Sequence, residues 1–263
     1  QGRILLSHQG STFGGLVIGA DFCDTSNYNW IFKDMMEHFK SRGYERAELR
    51  MPHWLYARKD RGNELLDYYF QLNGFAMRGE VGFYVNLTDL PDDYEASFSP
   101  LRKRKLRKAC QYSLLFKELT SRESIYAFYN VLADNMLKFN TVPLHTFEEI
   151  IDFKDRRLKD TVSFYGVYHE KELIAGSMVF NFCNKKVFHT QYLASRHDCL
   201  SYCPNEFLYT GLIRTARESG YRFLSYGTAT LAHGEIYNET LGMYKEGFNT
   251  DTYLNRTYIY EGK

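Results

Sequence analysis

The sequence predicts a mixed α/β protein built from two related halves, residues 1–92 and 93–263. Three observations predict it. Short stretches rich in β-branched and aromatic residues alternate with longer ones whose apolar residues recur at helical spacing. The order of elements in the second half partly echoes the order in the first, although no repeat is visible in the residues themselves. A turn-rich stretch at 90–94 (LPDDY) lies between them and is the best candidate linker.

Composition sets the outer limits. A chain of 263 residues makes one large domain or two small ones, and an apolar share of 44% is enough for a sizeable core. The aromatic surplus, 22 Tyr and 20 Phe, suits strand-rich layers and aromatic-lined clefts. Lys and Arg total 33 against 32 Asp and Glu, so global charge favours neither nucleic acid nor an anionic membrane as partner. Cys23, Cys110, Cys183, Cys199 and Cys203 form no even framework, which points to a reduced, cytoplasmic compartment. The N-x-T sequons at Asn86, Asn238 and Asn255 are then chance matches. No apolar run approaches the roughly 20 residues that a membrane span needs. No signal peptide is visible, but the chain opens on Gln1 rather than Met; a leader or a further amino-terminal segment is therefore expected to be missing from it.

In the first half, 3–8 (RILLSH) and 15–18 (GLVI) read as short strands around a Gly/Ser turn at 9–14 (QGSTFG). Thr25 or Ser26 caps a helix with apolar face Trp30, Ile31, Met35 and Phe39, ended by Gly43. Ala47, Leu49 and Met51 alternate with Glu48 and Arg50 as a half-buried strand that Pro52 closes. A helix over 63–73, carrying Leu65, Leu66, Tyr69, Phe70 and Leu72, stops at Gly74, and 80–87 is a strand.

The second half opens on a basic helix, 99–113, with Arg102, Lys103, Arg104, Lys105, Arg107 and Lys108. A strand at 114–119 leads to a long helix over 121–140, with Ile125, Phe128, Tyr129, Leu132, Met136 and Leu137 on one side, which Pro143 breaks. Thr146 with Glu149 three residues on is a capping-box signal for a helix to about Leu158. Stretches 162–169 and 172–182 form a hairpin. Then come a strand at 186–194, a helix from Pro204 to Gly220, a strand at 221–227, a helix over 238–248 ending at Gly247, and a last strand at 252–260. Polar groups gather at the seams of this closing stretch, where ligands sit in α/β layers.

Several blocks carry a resemblance: 7–16 (SHQGSTFGGL), 173–179 (LIAGSMV), 189–194 (HTQYLA), 226–227 (YG) and 238–248 (NETLGMYKEGF). In order and content they resemble Fem-like members of the GNAT acyltransferase superfamily. The resemblance implies two GNAT-like halves, each a mixed sheet flanked by helices, the amino-terminal one incomplete. It also implies a bacterial enzyme that moves an acetyl or aminoacyl group onto an amine of a small molecule or a peptidoglycan precursor. The donor is acyl-CoA or an aminoacyl-tRNA. Acyl-CoA enzymes of the superfamily carry a Gln/Arg-x-x-Gly-x-Gly/Ala loop, but here 195–203 (SRHDCLSYC) holds no glycine. A phosphate cradle needs backbone N–H groups that no side chain obstructs. The family's KExFG block reads KEGFN at 245–249, with Asn249 in the last Gly position, a mild change because Asn tolerates left-handed backbone. The long coiled-coil arm of the bridge-forming enzymes is absent.

Acyl transfer to an amine needs a proton acceptor, donors for the developing oxyanion, and positioning. Lys245, in the family block, either holds an oxyanion, phosphate or carboxylate, or is a solvated lysine beside an acid. His189 is a general base or a hydrogen-bonded core histidine, and strand alternation places it with Gln191, opposite Thr190 and Tyr192. Tyr192 is a general acid or a packing residue. His8 and Gln9, before the Gly/Ser turn, contact substrate from the other half or only serve the turn. Asn205 and Glu206 bind substrate or cap the helix at Pro204; Asn238 caps or binds, and Tyr226 lines the cleft. Cys199, Cys203, His197 and His189 lack the spacing of a paired metal site, so no metal is expected. No G-x-S-x-G elbow occurs. The basic helix binds tRNA or precursor phosphates, or is a solvated face balanced by Asp92, Asp93 and Glu95. Two further readings stand beside the acyltransferase: an aminoacyl-tRNA-dependent transferase, and a non-catalytic ligand-binding protein.

Overall fold

The computed structural model describes residues 2–8, 14–57, 64–138, 140–182, 184 and 186–262. Its elements in chain order are β1 (Arg3–Leu6), α1 (Thr25–Arg42), β2 (Tyr44–Met51), α2 (Glu64–Leu72), β3 (Ala76–Asn86) and α3 (Pro100–Ala109). Then follow β4 (Leu114–Glu118), α4 (Arg122–Leu137), α5 (Phe147–Asp152), β5 (Val162–His169), β6 (Glu172–Phe182) and β7 (Val187–Ser195). The last are α6 (Pro204–Glu218), β8 (Phe223–Thr228), β9 (Thr230–Leu231), β10 (Ile236–Tyr237), α7 (Glu239–Glu246) and β11 (Asp251–Glu261). Two compact units result. Unit 1 takes Gln1–Gly82, Ala229–Asn238 and Tyr253–Lys263; unit 2 takes Phe83–Thr228 and Glu239–Thr252.

In unit 1 the strands lie in the order β1-β2-β11-β3, with β1 parallel and β11 antiparallel to β2. Aromatic packing sets the helices. Phe70 of α2 stacks on Tyr258 of β11 with ring centroids 4.0 Å apart and meets Phe32 of α1 edge-on at 4.9 Å. Of the expected face of α1, Phe39 is buried and Ile31 and Met35 pack against the core, but Trp30 stands half exposed, and the deepest positions are Tyr28 and Phe32. Periodicity alone does not choose between neighbouring apolar stripes, and here the rings of α2 chose. The cap is also one residue earlier, Asp24 accepting from the Asn27 N–H at 2.9 Å, and Gly43 closes the helix in left-handed backbone. Residues 15–18 form no strand. Gly15, at φ +93°, turns the chain against the Arg50 carbonyl, and the stretch crosses the core as a strap with Leu16 and Ile18 inward and Val17 fully exposed. Alternation survived there without a ladder to pair with.

In unit 2 the order is β8-β7-β6-β5-β4, antiparallel except for β7 with β8. Helices α4 and α5 cover one face through Ile125, Phe128, Leu132 and Ile150 against Phe164 and Met178. On the opposite face Gly211 of α6 lies on the Phe116 ring, which stacks on Tyr165; an added Cβ would come within 2.4 Å of it. The Thr146–Glu149 capping box forms with both reciprocal bonds, and α5 runs on into a π-helical turn over Phe153–Arg157. The basic helix is shorter than expected, ending at Ala109, with the Ser99 side chain accepting from the Arg102 N–H.

Candidate active site

Two irregularities of β7 make the site. Against β6, Tyr192 lies opposite Met178 and Thr190 opposite Val179, so Gln191 is an inserted residue, a bulge. His189 lies opposite Phe180. Met178 and Phe180 are two apart on β6 and face the same way, and so do their partners. The bulge therefore puts His189 and Tyr192 on one face, beside α4 and α5, which corrects the strict alternation that separated them. Against β8, pairing covers Val187–Phe223, Phe188–Leu224 and His189–Ser225 and then ends, although both strands continue. Past His189 the two strands have parted.

The parted end of β8 is held by side chains. The Thr190 hydroxyl donates to the Ser225 carbonyl at 3.0 Å. Lys245, buried on α7, donates to the carbonyls of Tyr226, Gly227 and Thr228 at 2.7, 3.2 and 2.7 Å. Burial pulls its ammonium down, to about 7. The three carbonyls act the other way, because only the protonated amine has three hydrogens to give them. Gly227 sits at φ +68°, where the strand turns to offer these carbonyls. His189 Nδ1 is 3.0 Å from the Ser225 hydroxyl, which also accepts from the Gly227 N–H at 3.3 Å. Burial, with the Lys245 charge adding, pushes His189 down to about 4, so its ring is neutral; a Gln191 hydrogen bond opposes this.

On the same face, the Tyr192 hydroxyl meets His145 Nδ1 at 2.8 Å. Burial raises Tyr192, while the backbone N–H groups of His145 and Leu144 and the Gln191 side chain pull it back. Three residues further along β7, a cavity of about 660 Å³ opens between α4 and residues 195–198, lined among others by Asp134, Asn135, Lys138, Glu172 and Arg196.

The first turn of α6 is occupied from within. Glu206, 3% exposed, pairs with Arg102 of α3, itself buried under the Tyr244 ring at 4.2 Å, and Lys105 reaches the same carboxylate at 3.7 Å. Asn205 Oδ1 is buried with no partner, and Tyr226 packs against Tyr209 with centroids 4.4 Å apart. Cys203 precedes α6 in left-handed backbone at φ 56° with no side-chain cap. His8 is exposed in unit 1, its ring against Gly14, and Asn238 gives its N–H to the Ala229 carbonyl at 2.8 Å. Gln9 lies outside the described residues. Sequence reading passed over three residues of this arrangement: His145, Ser225 and, as a buried ion-pair partner, Arg102. His145 directly precedes the capping-box Thr146, and Ser225 sits within the buried run Phe223–Tyr226; neither position carries a chemical signal of its own.

The acetyltransferase (GNAT) domain family matches residues 102–245, the stretch from the buried Arg102 to Lys245. The chain belongs to this family. The matched stretch thus ends on the lysine that holds the parted strand. Among solved structures the chain is similar to FemX, at 13% identity and TM-score 0.67, covering 93% of this chain and 78% of that one. It is similar to L-PGS from Bacillus licheniformis at 14% identity and TM-score 0.61, covering 87% and 72%. A tandem GNAT protein from the clavulanic acid biosynthesis pathway matches at 11% identity and TM-score 0.53, covering 94% and 73%. At these identities the likeness is one of fold. No curated protein matches the chain in sequence. Among the described residues no group of three or more His, Cys, Asp or Glu could hold a metal ion, and no helix is long and apolar enough to cross a membrane.

Proposed function

We propose that the chain is an N-acyltransferase that moves an acetyl or aminoacyl group onto the amine of a small molecule or a cell-envelope precursor. One observation carries this reading: β7 and β8 part after His189 and Ser225, beside the Gln191 bulge. An acyl group seated in that opening lies against strand backbone, whose N–H groups are oriented before the reaction begins and stabilise charge on the acyl oxygen. In this reading Tyr192 and Gln191 border the reacting centre, His189 holds Gln191, and Lys245 keeps the opening from closing. Asn205, Glu206 and Tyr226 shape the wall beneath α6.

Acyl-CoA is the donor typical of GNAT domains. The residues after β7 do not fit its pyrophosphate: they offer no glycine cradle, and the Glu206 carboxylate already sits in the first turn of α6. A second reading, transfer from an aminoacyl-tRNA, is favoured by α3. With Arg102 turned inward, Arg104, Arg107 and Lys108 stand exposed at i, i+3, i+4 spacing, one cationic face fit for a phosphate backbone. Calorimetric titration with acetyl-CoA and, in parallel, with charged tRNA tests both. Saturable acetyl-CoA binding supports a CoA-dependent enzyme in spite of the loop. Salt-dependent binding of charged tRNA alone supports the second reading. Silence in both arms from folded protein leaves a non-catalytic ligand-binding protein.

A further inference from the structure

Polar groups form one line along the α4/α5 face of β7. Ser225 Oγ meets His189 Nδ1, the Gln191 side chain hydrogen-bonds both His189 and Tyr192, and the Tyr192 hydroxyl meets His145 Nδ1. The line is closed at one end and open at the other. Ser225 and His189 are buried. His145 is half-buried, on the connection between α4 and α5, where Val142 and Leu144 stand exposed. Its ring is set edge-on to Phe153 at 5.0 Å and to Tyr192 at 6.0 Å, so two contacts fix its plane.

We propose that His145 takes up the proton that the acceptor amine loses, with Tyr192 carrying it there. The inference rests on the acyl-transfer reading. The amine nitrogen attacks the acyl carbon; the N–C bond forms and the bond from that carbon to the donor's leaving atom breaks. The amine proton passes to the Tyr192 oxygen while the phenol proton passes to His145 Nδ1, leaving an imidazolium. The imidazolium returns its proton through water to the departing group, so atoms and charge balance.

The environments of the three groups sort their roles. Burial raises Tyr192, so the phenol conducts a proton without storing a negative charge. His189 is too deeply buried, and too close to the Lys245 charge, to accept a proton near neutrality. His145 is lowered by burial, with Glu149 of α5 opposing and Arg157 of the following turn adding. It is therefore unprotonated and ready near pH 7. Tyr129 of α4 is the other titratable group facing Tyr192. Acting through Tyr192, His145 is a positioning residue, and its signature is a pH profile.

The test compares pH–rate profiles of amine acylation, with whichever of acetyl-CoA or charged tRNA gives turnover, for wild type, His145→Gln and Tyr192→Phe. Gln keeps a hydrogen bond to Tyr192 but takes up no proton. The expected result is a loss of roughly 10²–10⁴-fold in kcat in both variants. The acid limb of the wild-type profile disappears in His145→Gln. A His145→Gln enzyme with the wild-type kcat and limb overturns the proposal while leaving acyl transfer in place. Wild type without turnover on either donor overturns the acyl-transfer reading and the relay with it. Imidazole NMR titration of wild type needs no variant to fold: His145 neutral at pH 7 and titrating below the ordinary histidine value supports the relay, and a charged ring at pH 7 overturns it.

Discussion

Strand β7 meets its two neighbours in opposite ways. Against β6 it keeps register from Val187 to Ser195, interrupted by one bulge; against β8 it pairs at three positions and leaves. A frayed edge would give its carbonyls to water. Here the Ser225 carbonyl takes the Thr190 hydroxyl, and those of Tyr226, Gly227 and Thr228 take the Lys245 ammonium. The closed side is made by backbone pairing, and the open side is made by side chains that replace it. An opening built this way is part of the folded state, and substitutions of single side chains can break it.

Lys245→Met should break it most. It leaves three buried carbonyls without their donor and should cost about 3–5 kcal/mol, the range for stripping one partner from a buried charged contact. Urea unfolding reads the loss, and amide exchange should rise around 226–228 ahead of β5 and β6. Unchanged stability would mean that the lysine does not hold the strand.

The second effect is a pH dependence confined to the open side. His189 falls from the ordinary histidine value of 6.5 to about 4 in the folded protein, so between those values the unfolded chain binds the extra proton. Its stability contribution is present above pH 6.5 and is lost as pH falls toward 4. At about 1.4 kcal/mol per pKa unit this amounts to roughly 3 kcal/mol. His189→Gln should flatten the stability curve in that window; a curve that keeps its slope assigns the dependence to another group.

The closed side sharpens the comparison through packing. Gly176 on β6 faces Gly166 on β5, and an added Cβ would meet the Phe128 ring at 2.6 Å and the Tyr165 carbonyl at 3.0 Å. Gly176→Ala should cost about 1–3 kcal/mol by overpacking, seen as a lowered melting temperature with the His189 pH dependence intact. Smallest is Gly227→Ala. Nothing lies within 3.4 Å of the added Cβ, so only the left-handed backbone resists, at about 1–2 kcal/mol. A larger cost at Gly227 than at Gly176 would reverse the ranking of strain and packing.

What could be read from the residues were features made by near neighbours in the chain. The Thr146–Glu149 box spans three residues, and both of its bonds form. Pro204 opens α6 and Gly220 follows its end in left-handed backbone, as expected. The β5–β6 hairpin was legible from its two β-rich runs and tight turn. Where the reading went astray, distant residues decided. The strand-like alternation of 15–18 found no ladder, and the buried stripe of α1 was set by rings on α2. Of the site, the polar residues of β7 and α7 were visible as a cluster, but not which of them share a face.

The sequence by itself determined the α/β class, the capping box of α5, the ends of α6 and the family blocks, because capping, periodicity and turn chemistry act over a few residues. The tertiary structure alone decided the bulge at Gln191, the parting of β7 from β8, and the partners of Lys245, His189 and Tyr192. Those contacts join residues 17 to 19, 36 and 47 positions apart. A residue's type says which bonds it can make. Which partner is within reach depends on how the strands and helices that carry both are packed.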